Sequence, residues 1–370
     1  MTVAVTVGCA VTMSACGSSS GSGGSGGSGD GKIVIDFANG SEDGQTYKGL
    51  EDTLTASLSG VNGVTLNKYN NNNSATTLFQ NVSTMVAEAP DVIIEVNPIA
   101  DAGARLSTQL KRSKIPCIAV NVPIDGCAFF NQDAPPLGQQ LADAVAPLMK
   151  AKGWDGSNTT VIPLETAAYG SLNSVMWDFV EPLSKAVPNM APVKTADFTT
   201  TTTQLNNSVL QVNTDYSTDA AFKTFATTLQ SLPAGRHMVV DCIGDETCLG
   251  AYRAVQNAGR LSDAMFMAWG ATPAAMSLLR SDPSWVAESA NFFSSWGEFV
   301  APMAYAMAKG YNAPKQTFPP QVVVTKDNFD QYFNSDGSVK QFPKLPETSS
   351  YLVTKGGGIL QKAGNVEGVK

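Results

Sequence analysis

Polar and aromatic side chains follow the strand-like runs of this chain, where they could contact a small molecule. They are Asn39, Glu42, Asp43, Asn73, Asn97 and Asn121 in the first half, and Glu165, Tyr169, Phe198, Asp245 and Trp269 in the second. Amide and carboxylate groups pair with the hydroxyls of a polyol, and aromatic faces cover its C–H surface. The set holds no Lys or Arg, which disfavours a phosphorylated or strongly anionic ligand. These residue types therefore predict a site for a neutral, sugar-like molecule.

Each of these residues also has a structural interpretation. An Asn after a strand is common in turns and helix caps, and this alternative stays open for Asn39, Asn73 and Asn97. Asn97 precedes a proline, which favours the turn. Phe198 and Trp269 would equally suit a hydrophobic core.

Catalysis is a second class of function. Glu165, Asp245 and Glu246 could form a carboxylate pair for glycoside hydrolysis, but the sequence does not fix their separation. The chain has one histidine, His237, so a multi-histidine metal site is excluded and a Ser-His-Asp site is disfavoured. We expect no catalytic residue, no metal site and no cofactor.

Alternating strand and helix patterns must position the candidate residues. Apolar runs such as "DVIIEVNP" and "HMVVDCIG" are separated by segments with helical spacing, such as "ATTLFQNVSTMVAEA". Apolar strands that alternate with helices predict a doubly wound parallel sheet. The pattern restarts after "LGQQLADAVAPLMKAKGW", with a second-half strand expected over "APVKTADF". We therefore expect an α/β fold of two Rossmann-like lobes, with the ligand beyond the carboxyl ends of the strands.

Composition limits the partners. The 370 residues are 43% hydrophobic and 15% charged, with a formal net charge of -8. This apolar content suits one large or two medium globular domains. The acidic balance argues against a nucleic acid or an anionic membrane surface as partner.

The N-terminal segment resembles an export signal. Residues 1–15 are uncharged and mostly small or apolar, although no Lys or Arg precedes the apolar run. "MSAC" resembles a bacterial lipobox, which predicts lipidation of Cys16, and residues 16–31 would form a Gly/Ser tether. A plain signal peptide with a chance cysteine is the alternative.

Four further cysteines fall into two local pairs. Cys117 and Cys127 are separated by ten positions, and Cys242 and Cys248 by six. In an oxidising compartment this pattern favours the disulfides Cys117–Cys127 and Cys242–Cys248, with four buried thiols as the alternative.

Several stretches resemble the type I (ribose/galactose-like) periplasmic binding proteins, the substrate-binding components of ABC sugar importers. They are "VNPIADAG", "IPCIAVNVPID", "GDETCLGAYRAVQNAGR", "MAWGATPAAM" and "TADF". The residues in register with the family are Gly250, Ala251, Gly259, Thr272 and Pro273, and Phe198 would line the cleft. The resemblance covers about residues 32–335. Repressors with this fold need an N-terminal helix-turn-helix, and a signal-like segment stands there instead.

The resemblance implies a three-strand hinge, with crossings near Val122–Pro123, Asn291–Ser295 and Pro320–Val322. The N-terminal lobe would hold residues 32–122 plus 297–318, and the C-terminal lobe residues 124–290 plus 321–335. Residues 336–370 would form a polar tail. Asn121, Asn291 and Phe292 stand at the crossings, which favours ligand contact.

Departures from the ribose-type pattern put the ligand in doubt. The Asp-Arg pair after the fourth strand is Asn121-Val122 here, and the helix arginine is Val175 or a neighbour. Gly244 and Gly270 replace the asparagine and aspartate of two further motifs. The resemblance thus implies a pocket other than a ribose pocket, and the two glycines suggest room for a larger ligand.

Together these features predict an extracytoplasmic, lipid-anchored monomer that delivers a sugar-like ligand to an ABC permease. A sensor that presents its loaded form to a chemoreceptor or kinase has the same sequence signature.

Overall fold

The computed structural model describes residues 32–42 and 45–345. The predicted signal segment, lipidation site Cys16, tether and Asp43 lie outside the described residues, as does the tail beyond residue 345.

Strands and helices alternate along the chain. The strands are β1 (Ile33–Asn39), β2 (Val64–Asn70), β3 (Val92–Asn97), β4 (Cys117–Asn121), β5 (Ala128–Phe130), β6 (Thr159–Glu165), β7 (Gln204–Asn206), β8 (Val209–Leu210), β9 (Val212–Asn213), β10 (His237–Cys242), β11 (Ala264–Trp269), β12 (Trp285–Ala290), β13 (Gln316–Thr317) and β14 (Val322–Thr325). The helices are α1 (Gln45–Ser59), α2 (Ala75–Glu88), α3 (Gly103–Ser113), α4 (Ala134–Ala151), α5 (Ser174–Ala186), α6 (Thr218–Ser231), α7 (Asp245–Asn257), α8 (Pro273–Ser281), α9 (Gly297–Ala308) and α10 (Phe329–Tyr332).

The first lobe is built on a parallel sheet with the order β13-β5-β4-β3-β1-β2. Its central strands β3 and β4 are buried on both faces because helices cover both. In β3, Val92, Ile94 and Val96 belong to the cluster that includes α1 and α9, whereas Ile93 packs with α2 and α3. This is the doubly wound arrangement that the apolar runs predict.

The second lobe is built on a mixed sheet with the order β14-β12-β11-β10-β6-β8-β7. The strands from β12 to β8 run parallel, whereas β14 and β7 are antiparallel to their neighbours. The expected strand over residues 191–198 is absent from this described region, which instead holds a 3-10 turn at Thr195–Asp197. Its place beside β6 is taken by β8 and β9. The fold class, two α/β lobes of this architecture, is as predicted.

Three crossings connect the lobes before α10. The first follows β5, which pairs with β4 in the first sheet. The predicted crossing at Val122–Pro123 is therefore too early, because the short run Ala128–Phe130 extends the first sheet before α4 begins. The other two join β12 to α9 and β13 to β14.

Side-chain hydrogen bonds tie the crossings to each other. Asn291 Nδ2 donates to Gln132 Oε1 over 2.5 Å, which joins the first and second crossings. Gln321 Oε1 accepts from the backbone N–H of Asp133 at 2.8 Å, and its Nε2 donates to Asp133 O at 2.9 Å. The three connections thus form one hydrogen-bonded hinge.

The chain crosses back once more after α10. Phe333 belongs to the core of the second lobe, and Leu345 packs against the core of the first. Between them, the ring of Phe342 lies 5.3 Å from Phe292 and 5.4 Å from Phe299. The described part of the expected tail, residues 336–345, is therefore held on the body of the protein by Phe342 and Leu345.

Both favoured cysteine pairs are joined in the structure. Cys117 and Cys127 have Cα atoms 4.7 Å apart, and Cys242 and Cys248 have Cα atoms 5.3 Å apart. Across the described ranges, every helix is too short or too polar to cross a membrane.

Candidate functional site

A narrow cavity of about 60 Å³ lies between the lobes, and we call it the inter-lobe cavity. Its lining residues are Thr46, Tyr47, Asn121, Gln132, Tyr169, Leu172, Tyr216, Ile243, Trp269, Asn291 and Phe293. Asn121 ends β4, Trp269 ends β11 and Asn291 follows β12. The cavity therefore lies where the carboxyl ends of the two sheets face each other, as expected for open α/β sheets.

Four of the predicted ligand residues line this cavity: Asn121, Tyr169, Trp269 and Asn291. Asn121 has a left-handed backbone (φ 73°), a conformation that Asn tolerates better than most residues. Asn291 is 5% exposed and has both amide atoms in hydrogen bonds, to Gln132 and to the Phe293 N–H.

The Tyr169 hydroxyl is a buried polar group of the lining. Tyr169 is 6% exposed, and its hydroxyl interacts with the Tyr47 hydroxyl without forming a hydrogen bond of full geometry among the described residues. Burial raises its pKa well above the ordinary value, so the hydroxyl keeps its proton. A buried hydroxyl whose hydrogen bond is incomplete is costly, so this group favours a ligand that supplies a well-placed partner.

Apolar surface lines the cavity from both lobes. The rings of Tyr47 and Phe293 meet edge to face at 5.4 Å. Trp269 is oriented by its Nε1–H, which lies 3.4 Å from Asp241 Oδ2 behind the cavity wall. Such faces suit the C–H surfaces of a ring or chain polyol.

The lining is uncharged. Among the described residues, no Lys, Arg, Asp or Glu lines the cavity. Carboxyl groups lie behind the second-lobe wall, where burial raises the pKa of Asp245 to about 7 and those of Asp241 and Glu288 well above their usual range. The groups nearest the second-lobe wall are thus acids rather than cations. An anionic ligand would find no positive charge in the described lining to balance its own.

Three predicted asparagines have structural roles instead. Asn39 Nδ2 donates to Tyr47 O at 3.1 Å and to Glu51 Oε2 at 3.2 Å. Asn97 Oδ1 accepts from the Ile99 N–H at 2.8 Å and closes a turn. Asn73 is exposed with φ 50°, and its N–H donates to Gly40 O at 2.8 Å.

The predicted acids among the described residues also lie outside the lining. Glu165 is fully buried, and its oxygens accept from Trp177 Nε1 at 3.2 Å and Gln211 Nε2 at 2.5 Å. Burial raises the pKa of Glu165 to about 7. Asp245 Oδ2 accepts from the Thr272 N–H at 2.5 Å, and Glu42 is exposed on the surface.

Two predicted aromatics belong to cores. Phe198 stacks on Trp177 at 5.7 Å, and Phe292 stacks on Phe333 at 5.5 Å. Phe292 has a left-handed backbone (φ 54°), which turns its side chain away, and its neighbour Phe293 lines the cavity.

The remaining lining residues were missed by sequence reasoning. They are Thr46, Tyr47, Gln132, Leu172, Tyr216, Ile243 and Phe293. Gln132 and Tyr216 follow β5 and β9, which are too short to show the alternating hydrophobic pattern of a strand. Thr46 and Tyr47 lie in the first turn of α1 rather than after a strand. The one available signal was "AFFNQ", a short apolar run followed by polar residues.

The expectation of extra room at the two glycines is wrong. A Cβ at Gly244 would overlap the hydroxyl of Tyr216, and a Cβ at Gly270 would lie 2.6 Å from Asp245 Oδ1. Larger side chains from elsewhere in the second lobe fill both spaces.

Similar folds occur in solved structures of solute-binding proteins. An ABC transporter solute-binding protein from Bacillus halodurans C-125, with bound myo-inositol, is 17% identical with a TM-score of 0.70, covering 84% of this chain and 100% of that chain. A Mycobacterium smegmatis structure in complex with β-D-fucofuranose is 18% identical with a TM-score of 0.66 (81% of this chain and 93% of that one). A periplasmic solute-binding protein from Actinobacillus succinogenes 130z, with bound D-allose, is 15% identical with a TM-score of 0.63 (81% and 100%).

A search of curated proteins gives no match. The family described as "Periplasmic binding protein domain" matches residues 35–312, the region that holds both sheets and the inter-lobe cavity. On this match and this fold, the chain belongs to the periplasmic binding protein family.

Proposed function

We propose that this protein captures an uncharged sugar or sugar-like polyol between its lobes and delivers it to an ABC permease. The observation that carries the proposal is the lining of the inter-lobe cavity, where hydroxyl and amide groups alternate with aromatic faces and no described side chain is charged. Such a lining can satisfy the hydroxyls of a polyol but cannot neutralise a phosphate or carboxylate.

The ligands of the similar structures support this class. Myo-inositol, β-D-fucofuranose and D-allose are all uncharged and rich in hydroxyls. The sequence identities of 15–18% carry the fold but not the choice of sugar.

Capture follows from the two-lobe design. The ligand would contact Asn121 and Tyr47 of the first lobe and Tyr169 and Trp269 of the second, so it favours the closed form by its greater affinity for that form. The hydrogen-bonded hinge takes up the rotation. A permease could then distinguish loaded from empty protein by the closed surface.

An extracytoplasmic location supports this role. Lipidation of Cys16 would hold the monomer at the membrane near its permease. The Gly/Ser segment would be a flexible spacer that lets the folded part contact the permease. We expect Cys16→Ser to release the protein from membranes without changing its ligand. A sensor role is the alternative, and a loaded form that stimulates a receptor kinase rather than transport would favour it.

A ligand panel tests the proposal. Thermal unfolding and tryptophan fluorescence would be followed with pentoses, hexoses, cyclitols and alditols, and with uronic acids and sugar phosphates as charged counterparts. A neutral ligand at about 100 times its Kd stabilises by about 2.7 kcal/mol, a shift of several degrees in Tm. Trp269→Phe should abolish most of the fluorescence response.

The proposal would be rejected if only the charged compounds changed the Tm or the tryptophan fluorescence. It would also be rejected if no compound of the panel changed either. Chromogenic glycosides supply a matched test of the enzyme alternative, since none of Glu165, Asp245 and Glu246 lines the cavity. We expect binding without turnover.

A further inference from the structure

Glu246 touches both lobes at the edge of the inter-lobe cavity without lining it. Its Oε1 accepts from Thr46 Oγ1 of α1, in the first lobe, at 2.7 Å. Its Oε2 accepts from the Tyr216 hydroxyl, in the second lobe, at 2.9 Å. Thr46 and Tyr216 both line the cavity, so one carboxylate holds two lining residues from opposite lobes.

We propose that Glu246 is a positioning residue that closes the lobes and fixes which ligand groups the cavity accepts at this corner. This inference rests on the proposed function, because it specifies how the same cavity selects among neutral polyols.

The selection follows from the protons. A carboxylate only accepts hydrogen bonds, so the hydroxyl protons of Thr46 and Tyr216 both point towards Glu246. Only the lone pairs of these two hydroxyls are then left for the cavity. A ligand must donate at this corner, and a fluorine or ether oxygen placed there would face two acceptors.

The local sequence is built for this arrangement. Glu246 lies in the first turn of α7, where the helix dipole favours a negative charge. Gly244, two residues earlier, leaves the space through which the Tyr216 hydroxyl reaches it. The Tyr216 ring is further held at 5.3 Å from the ring of Tyr169.

The closing role follows from the hydrogen bond between Thr46 and Glu246. Thr46 belongs to the first lobe and Glu246 to the second, so their hydrogen bond breaks when the lobes separate. The bond from Tyr216 lies within the second lobe and survives opening. Thr46→Val therefore removes the hydrogen bond between the lobes and keeps the Tyr216–Glu246 bond, whereas Glu246→Gln keeps the side-chain shape and changes the proton pattern.

Binding measurements test the selection. Glu246→Gln replaces one acceptor by an NH₂ group, so one hydroxyl must accept from it and can turn its own proton to the ligand. The probes are D-allose, myo-inositol and their monodeoxyfluoro derivatives. In the wild type, at least one fluoro derivative should bind about tenfold more weakly than its parent. In Glu246→Gln that ratio should shrink at least about threefold. Equal ratios in the two proteins would overturn the selection.

Scattering without ligand tests the closing role independently of any sugar. We expect a larger radius of gyration for Thr46→Val and Glu246→Ala than for the wild type. Asp219→Asn is the matched control, because Asp219 lies in the first turn of the neighbouring helix α6 and is exposed outside the cavity. Radii unchanged in all variants would overturn the closing role.

The two proposals fail in different ways. If neither D-allose nor myo-inositol nor any other panel sugar binds the wild type, the sugar proposal fails while the scattering result still decides the closing role of Glu246. If sugars bind, Glu246→Gln leaves the selectivity unchanged, and Thr46→Val and Glu246→Ala leave the radius of gyration unchanged, then Glu246 has no positioning role and the sugar proposal stands.

Discussion

Gly170 of the second lobe lies against Ala100 of the first, and a methyl group at Gly170 should act against closure. Gly170 lies in the 3-10 segment Ala167–Asn173 of the second lobe, with φ 52° and ψ -122°. A Cβ at this position would overlap Cβ of Ala100, in the 3-10 turn Ala100–Ala102 of the first lobe. Gly170→Ala therefore introduces a clash that exists only when the lobes are together.

Two costs must be separated. The clash is an overpacking term of about 1–3 kcal/mol, which weakens ligand binding by about 5-fold to 150-fold. The backbone conformation of Gly170 is strained for any residue with a Cβ, and costs about 1–3 kcal/mol of folding stability whether the lobes are open or closed. The loss of ligand affinity therefore measures the clash between the lobes, and the fall in Tm mainly measures the backbone strain at Gly170.

A double-mutant cycle makes the separation experimentally. Ala100→Gly removes the methyl group that Gly170→Ala would strike, so the double variant should recover most of the affinity but little of the Tm. Affinities for the tightest sugar of the panel would be measured by calorimetry. Equal affinity losses in Gly170→Ala and the double variant would refute the reasoning, since the cost would then have no cross-lobe origin.

Three further predictions concern the scaffold. Burial in β3 raises the pKa of Glu95 from 4.5 to about 8, so the folded state keeps a proton that the unfolded chain loses. The free energy of unfolding should therefore fall as the pH rises through that interval. Glu95→Gln should flatten the accompanying decline of Tm. Phe342→Ala should cost about 2 kcal/mol in denaturant unfolding, because it removes a half-buried ring that joins both cores, whereas Val339→Ala at an exposed site should cost little. Replacing Cys117 and Cys127 by alanine should cost about 2–3 kcal/mol in the same assay, from loss of a short covalent loop.

The lobes were predictable because parallel strands covered by helices on both faces are largely apolar. β3 and β4 are fully buried along their length, and both were recognisable as apolar runs. The short strands β5 and β9 have two or three residues each, and their pairing depends on neighbours distant in sequence. The first crossing was consequently placed before β5.

The site was predictable to the extent that it follows from sheet edges. Asn121, Trp269 and Asn291 each come at or just after the end of a strand. Because ligands of open α/β sheets bind beyond the carboxyl ends of the strands, these three residues were expected at the cavity that they line. Tyr47 and Tyr216 reach it from a helix and from a loop, so their positions depend on how the two lobes approach. No local pattern carries that information.

The two glycines show why a missing side chain does not predict an open space. Protein interiors are close-packed, so a position vacated by one side chain is filled by another. The Tyr216 hydroxyl lies over Gly244, and the Asp245 carboxyl lies over Gly270. The polar group absent at Gly244 is thus replaced by the Tyr216 hydroxyl, which donates a hydrogen bond to Glu246 Oε2. Selectivity at this corner therefore moves from a residue after the strand to the Tyr216–Glu246 pair, which sequence position alone would not reveal.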